Sequence, residues 1–436
     1  MRVFLFALVV AAVGLTVTFA QRSVQVFTGA TVIPVSGPAI PNGVLVVENG
    51  RIAAVGPAGS VRVPRGADVT DLSGLVVMPG MICTHSHVAQ PWGGDSSGPL
   101  QPEVRALDAV NVRAASVQKA QAGGITTANL MPGSGHLMGG QTLYVKFRDG
   151  KTVDDLALRG ADGRVLGGLK MANGTNPQKA KPYPGTRAKS AALVRQRFIE
   201  AQEYRDKLAN AAGDPEKKPA RDLGLEALVE VLDGRRVIHH HTHRHDDILT
   251  VLRLSEEFGF RVVLHHVSEA WKVVDEIKAA GAACSLIAID SPGGKLEARD
   301  IKWENAPLLE KAGVDIAFHT DDPINDSRLF LRSAAQGMRV GLSRQAALES
   351  LTLAGARMLD LDDRVGSLEV GKDADFVVLD GDPLSIYTKV LQTWIDGELV
   401  FDRSLPEDKK WAEGGWGAGS DNHAHHCCLG PTGRLR

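Results

Sequence analysis

The sequence predicts an α/β protein, a (β/α)8 barrel of the TIM type carrying a small β-sandwich made from its two terminal segments. Several apolar, β-rich runs end in His or Asp clusters and alternate with helix-period stretches, the pattern of a parallel sheet covered by helices. Short β-rich runs separated by turns fill residues 24–78 and return at 366–402. Between them, residues 79–365 leave room for one barrel of about 250 residues with insertions.

The chain opens with Met1-Arg2, an apolar run over 3–17 and Thr18-Phe19-Ala20 before Gln21. A basic start, a short apolar core and a small residue at the cut predict a secretory signal over residues 1–20, cleaved after Ala20. No cysteine stands at that cut, which opposes a lipoprotein. The mature chain is expected to be secreted or periplasmic, with no membrane attachment once the signal is removed.

In the terminal segments, Asn49-Gly50 and Asp396-Gly397 are hairpin-turn pairs between β-rich runs. Their sandwich is expected to support the barrel, since nothing catalytic is visible in it. The barrel begins with the apolar run 74–84, which ends in His85-Ser86-His87. Residues i and i+2 of a strand share a face, so two imidazoles so spaced can clamp one metal ion.

Three further strand-like runs, 236–243, 260–266 and 314–321, also end in polar clusters. Barrels of this class place their chemistry at the C-terminal strand ends, which would bring His85, His87, His241 or His243, His266 and Asp321 to one point. Four imidazoles and a carboxylate suit zinc, with manganese, iron or cobalt as alternatives. His239 lies deeper on the fifth-strand face and reads as a satisfied core imidazole. His265 and His319 should alternate away from the site or lie deeper, packing or hydrogen-bonding to the ligands rather than ligating.

Beyond the His pair and the run that leads to it, the chain carries Ala122-Gly123-Gly124-Ile125-Thr126-Thr127, then Ser343-Arg344-Gln345-Ala346-Ala347-Leu348 and Thr352-Leu353-Ala354-Gly355-Ala356. A long motif spans Gly366 to Leu379. Together these resemble the amidohydrolase superfamily, and more narrowly its imidazolonepropionase-like and dipeptidase-like members, over nearly all of residues 24–402.

The resemblance implies roles residue by residue. His85 and His87 match the first-strand metal pair, His266 the sixth-strand ligand and Asp321 the eighth-strand carboxylate that handles the proton of the attacking water. Lys170 sits where binuclear members carry a carboxylated lysine bridging two metals; a plain barrel lysine is the alternative. The family's spacing of seven residues to an apolar helix position pairs His241 with Ile248, which makes His241 the fifth-strand ligand. His243 is then a rival ligand or a substrate contact.

The chemistry expected of such a centre is amide hydrolysis. A zinc ion lowers the pKa of its water from 15.7 to roughly 7 and polarises the carbonyl, so no serine or cysteine nucleophile is needed. The sequence holds no Gly-x-Ser-x-Gly elbow and no His-Glu-x-x-His helix.

Arg244 could capture a substrate carboxylate in bidentate fashion, or pair with Asp246 or Asp247. His136, in a glycine-rich loop, is a candidate substrate contact or loop filler, and Lys146 is a rival bridging lysine. Residues 176–187 read as a long loop over the rim, a candidate lid, and 211–219 as a surface loop.

A balance of 49 basic against 51 acidic residues gives a formal charge of −2, which offers no field for nucleic acid. The four cysteines, Cys83, Cys284, Cys427 and Cys428, are too few for a disulfide scaffold, and Cys83 reads as a small buried hydrophobe. Residues 403–436 form a flexible tail whose His423, His425, His426, Cys427 and Cys428 offer chelation as an alternative role.

The expected function is hydrolysis of a C–N bond in a small molecule, a dipeptide or N-acyl amino acid, with one or two zinc ions. The alternative is a mononuclear cyclic-amide hydrolase or a deaminase acting on a heterocycle. A non-catalytic metal-binding relative is the third reading. A small-molecule substrate is the expected partner, and a homo-oligomer is left open.

Overall fold

The computed structural model describes residues 24–287, 295–414 and 418. The expected signal over 1–20 and the His/Cys cluster of the tail lie outside these residues. Among the described residues, no helix is long and apolar enough to cross a membrane.

The strands that carry the predicted site run parallel as expected. Leu169–Ala172, Ile238–Thr242, Val262–His266, Ala283–Ile287 and Ile316–His319 are neighbours in one six-stranded sheet. Met138–Gln141 closes its far edge in antiparallel sense. Met81–Ser86 pairs in parallel with Ile125–Leu130, which pairs antiparallel with Leu143–Lys146 in a separate three-stranded sheet.

The expected ring is therefore divided into two ladders rather than one continuous eight-stranded barrel. Isolated hydrogen bonds stitch their edges, from Asp321 N to His85 O at 3.1 Å on one side and from Thr142 N to Gly168 O at 2.9 Å and Tyr144 N to Leu166 O at 3.0 Å on the other. Regular pairing stops at the second edge because the glycine-rich run 133–140 feeds a strand of opposite direction into it. Gly140 is needed there, with φ of +123° and Val104 O 2.7 Å from where a Cβ would stand.

The terminal residues expected to form a small β-sandwich hydrogen-bond as one eight-stranded sheet. Gln25–Val32 is central, and Val76–Pro79 joins the N-terminal strands to Phe376–Leu379. Strand alternation covers both faces: Phe27, Leu45 and Phe376 pack in one cluster, while Val26, Val44 and Val46 pack in another. Both hairpin pairs are in place, with positive φ at Asn49-Gly50 and at Asp396-Gly397, the backbone of a two-residue primed turn.

The helices that follow the site strands begin close to where the sequence patterns place them. His245–Phe258 follows the His-rich strand and stops at Gly259, whose φ of +71° ends it. Arg187–Asn210 opens after the 176–187 stretch, with Thr186 Oγ1 accepting from Lys189 N. Phe198 stacks between Phe258 and Phe260, both at 5.1 Å, and ties this long helix to the barrel.

Candidate metal centre

The C-terminal ends of the parallel strands bring a dense set of imidazoles to one place. His85 and His87 leave the end of Met81–Ser86 and both face Asp321, with Nε2 to Oδ1 distances of 3.3 and 3.0 Å. His266, at the end of its own strand, forms a donor group with His85 and His319, and His85, His87 and Asp321 form another. Lys170 Nζ lies 3.2 Å from His85 Nε2 and 3.2 Å from the Met131 sulfur, in the middle of the same cluster.

Two of these residues are held in an unusual backbone. His266 and Asp321 have φ of +69° and +50°, and the β-branched Val267 has +39°. Left-handed backbone at non-glycine positions costs about 1–3 kcal/mol each and persists only where the surroundings over-determine it. Here it turns both strand-end side chains toward the cluster.

Hydrogen bonds fix which nitrogen each ring presents. Met131 O lies 2.8 Å from His87 Nδ1 and takes its proton, which leaves the Nε2 lone pair facing Asp321. His319 Nε2 meets His266 Nδ1 at 3.1 Å, and Ser285 Oγ holds His319 Nδ1 at 2.7 Å, with Thr84 Oγ1 behind it at 2.6 Å. His266 Nε2 is then left buried with no hydrogen-bond partner among the described residues.

A second chain backs His85: Tyr144 Oη to His239 Nε2, His239 Nδ1 to His265 Nε2, and His265 Nδ1 to His85 Nδ1, at 2.9, 3.0 and 3.3 Å. His265 and His319 thus do hydrogen-bond to the ligand candidates. His319 also stands within the donor group itself.

Electrostatics keeps these rings neutral. Burial, reinforced by Lys170 and neighbouring imidazoles, holds His85 well below the ordinary histidine range. Burial does the same to His241, His265 and His266, and brings His239 and His240 down to about 3. Neutral imidazole is the form that ligates metal, and the buried Nε2 of His266 is a donor suited to a cation. The residues present fit a divalent transition metal.

The remaining predicted residues fall into three places. His241 and His243 stand at the end of the fifth-strand run, with ring centroids 4.5 and 5.1 Å from that of His266. They form a third donor group with Glu297. His136 sits away from the imidazoles, its Nε2 on Asp95 O at 2.7 Å and its ring 5.6 Å from Tyr183. Arg244 pairs with Asp246 at 3.0 and 2.9 Å, so the structural ion pair weighed for it is present.

Lys146 is no rival to Lys170. Its ammonium is fully buried among Asp373, Asp375 and Asp396, at 2.8, 3.0 and 2.5 Å, where it locks the barrel to the terminal sheet. Cys83 is buried, and burial pushes its thiol up to about 11, so it stays protonated at neutral pH. Sequence reasoning missed Glu297, Ser268 and Ser285, because each acquires its place only through a chain-distant partner and none sits in a strand-end histidine motif.

The model of the Amidohydrolase family matches residues 76–400. The crystal structure of an amidohydrolase from Thermotoga maritima MSB8 is 33% identical and covers 87% of this chain and 100% of its own, with a TM-score of 0.81. Amidohydrolase tasK of Hapsidospora irregularis is 29% identical over 393 residues, 83% of this chain, and the chain spans 40% of that longer relative. A 5-methylthioadenosine/S-adenosylhomocysteine deaminase of Symbiobacterium thermophilum is 25% identical, over 86% of this chain and 93% of its own. With a family match over most of its length and the donor groups assembled at the expected strand ends, the chain belongs to the amidohydrolase family.

Proposed function

We propose that this protein is a metal-dependent hydrolase that cleaves an amide C–N bond in a small substrate, a dipeptide or an N-acyl amino acid. The observation that carries the reading is the convergence of His85, His87, His266 and Asp321 around the buried amine of Lys170. These residues, with His241, would hold zinc or a similar ion, and Lys170 in carboxylated form would bridge two. When bound, the ion supplies a Lewis acid for the carbonyl oxygen and an acidified water.

The chain's own residues do the rest. Asp321 takes the proton of the attacking water and delivers it to the leaving nitrogen, a general acid–base role worth about 10²- to 10⁴-fold. His87 and His266 are kept in the ligating tautomer by Met131 O and His319. His243 and His136 are the proposed substrate contacts, and Arg244 would meet a substrate carboxylate by exchanging its exposed pair with Asp246. The proposal includes export through residues 1–20.

A second reading is favoured by the deaminase relative, which aligns over most of both chains. In it the centre is mononuclear, Lys170 is structural and the substrate is a heterocycle. Elemental analysis of the full chain against a His85→Asn/His87→Asn variant separates the two, since any metal held by the tail cancels in the difference. Two ions lost, with the mass of one carbon dioxide on Lys170, supports the binuclear amide hydrolase; one ion supports the ring chemistry. No difference in metal sinks both.

A further inference from the structure

We propose that a cleft beside His266 is the pocket for an apolar side chain of the substrate, so that the amide cleaved belongs to a residue of leucine type; this rests on the hydrolase reading above. The cleft holds about 400 Å³ of space, part of it open to solvent. His266, Leu286 and Phe318 line it and are in-register neighbours on the strands Val262–His266, Ala283–Ile287 and Ile316–His319. His266 also meets His319 through Nδ1 at 3.1 Å, so its ring stands between the metal-ligand cluster and the cleft. A substrate whose carbonyl lies at the centre can therefore extend a neighbouring side chain past His266 into this space.

Strand alternation and small helix residues open the pocket. Ser285 Oγ and His319 Nδ1 meet at 2.7 Å on the interior side, where Thr84 Oγ1 also reaches Ser285. Leu286 and Phe318, each one residue away on its strand, therefore turn toward the helices. Facing them in the lining are Ala306 of the helix Asn305–Ala312 and Gly337 of the helix Arg332–Arg339. A Cβ at Gly337 would stand only 3.0 Å from Phe318 Cζ, so a side chain there would push Phe318 into the cleft. Ile301 and Trp303 line it as well and are only half-buried, so apolar surface is left facing water.

The polar side chains of the wall have partners already. Asn305 Oδ1 accepts from Trp271 N at 3.0 Å, and its Nδ2 donates to Val267 O and Ser268 O at 3.3 and 3.0 Å. The Lys302 ammonium sits over the Trp271 ring at 3.7 Å, and Gln336 has a partner of its own. A polar group entering the cleft would give up water without a replacement partner, whereas hydrocarbon gains by covering the exposed apolar wall. The occupant that the walls select is thus an aliphatic side chain.

Three probes test this: N-acetyl-leucine, N-acetyl-asparagine, which matches it in size without the hydrocarbon, and N-acetylglycine. Their hydrolysis is followed with the zinc-loaded full chain, and their binding by calorimetry to Asp321→Asn, in which turnover is slowed. Leucine is expected to exceed both others by at least about 10-fold in kcat/KM and in affinity. Trp303→Ala, which removes part of the wall, and Ala306→Leu, which fills the space, should each bring that ratio below about 3, with circular dichroism checking the fold. Equal handling of the three probes, or a leucine preference that both variants leave intact, overturns the pocket. Binding with the expected preference but hydrolysis of none of the three overturns the hydrolase reading and leaves the cleft as a site for an apolar group.

Discussion

Asp321 faces two imidazoles through one oxygen and stands on left-handed backbone, so its replacement removes a proton carrier without emptying the cluster. Asp321→Asn is expected to lower kcat by about 10²- to 10⁴-fold while most of the metal stays bound. Kinetics paired with elemental analysis checks both halves, and unchanged kcat removes the assigned role. Lys170→Ala tests the bridge: the chain should lose one ion, and short carboxylates in the buffer should restore part of the activity. A structural lysine would show neither the lost ion nor the rescue.

At the scale of elements, the site depends on helices held flush against the strands that carry it. Phe198 is fully buried in the stack with Phe258 and Phe260, on the face of the Arg187–Asn210 helix that also buries Val194 and Ala201. Phe198→Ala should cost about 3–5 kcal/mol, read as a lower urea midpoint with little change in slope. The Lys146 cluster plays the corresponding part between barrel and terminal sheet. Lys146→Met would take from Asp375 its cation, while Asp373 keeps Arg364 and Asp396 keeps Arg148, and a loss of about 3–5 kcal/mol is expected at neutral pH. A smaller loss at acid pH, where Asp375, whose burial raises its proton affinity, protonates first, would confirm the electrostatic cause.

For the whole molecule, the buried imidazoles set the acid limit. His85, His239, His240, His241, His265 and His266 all have proton affinities depressed by burial, His239 and His240 to about 3. The unfolded chain binds protons at these rings below its ordinary value of about 6.5 while the folded chain does not, so stability falls as pH drops through that value. Each ring contributes a slope of about 1.4 kcal/mol per pH unit, lost between about 6.5 and its folded value. Metal-free protein should therefore show a Tm that declines steeply below pH about 6, and a flat profile down to pH 4 would contradict the neutral-imidazole cluster.

Strand pleating is a local property, and for that reason the amino-acid sequence alone determined much of the centre. Alternation put His85 and His87 on one face, marked His266 and Asp321 as strand ends, and placed the hairpin turns at Asn49-Gly50 and Asp396-Gly397. Which side chains meet across the interior is not local. Lys146 finds Asp373 across 227 positions, His319 orients His266 across 53, and Glu297 reaches Thr175 across 122. The split of the barrel into two ladders and the single terminal sheet were decided in the same way, because hydrogen-bond closure between distant strands depends on twist and on the glycine run 133–140 rather than on any one strand's pattern. Local periodicity thus identified the ligand candidates, and only tertiary packing decided which nitrogen each presents and what stands behind it.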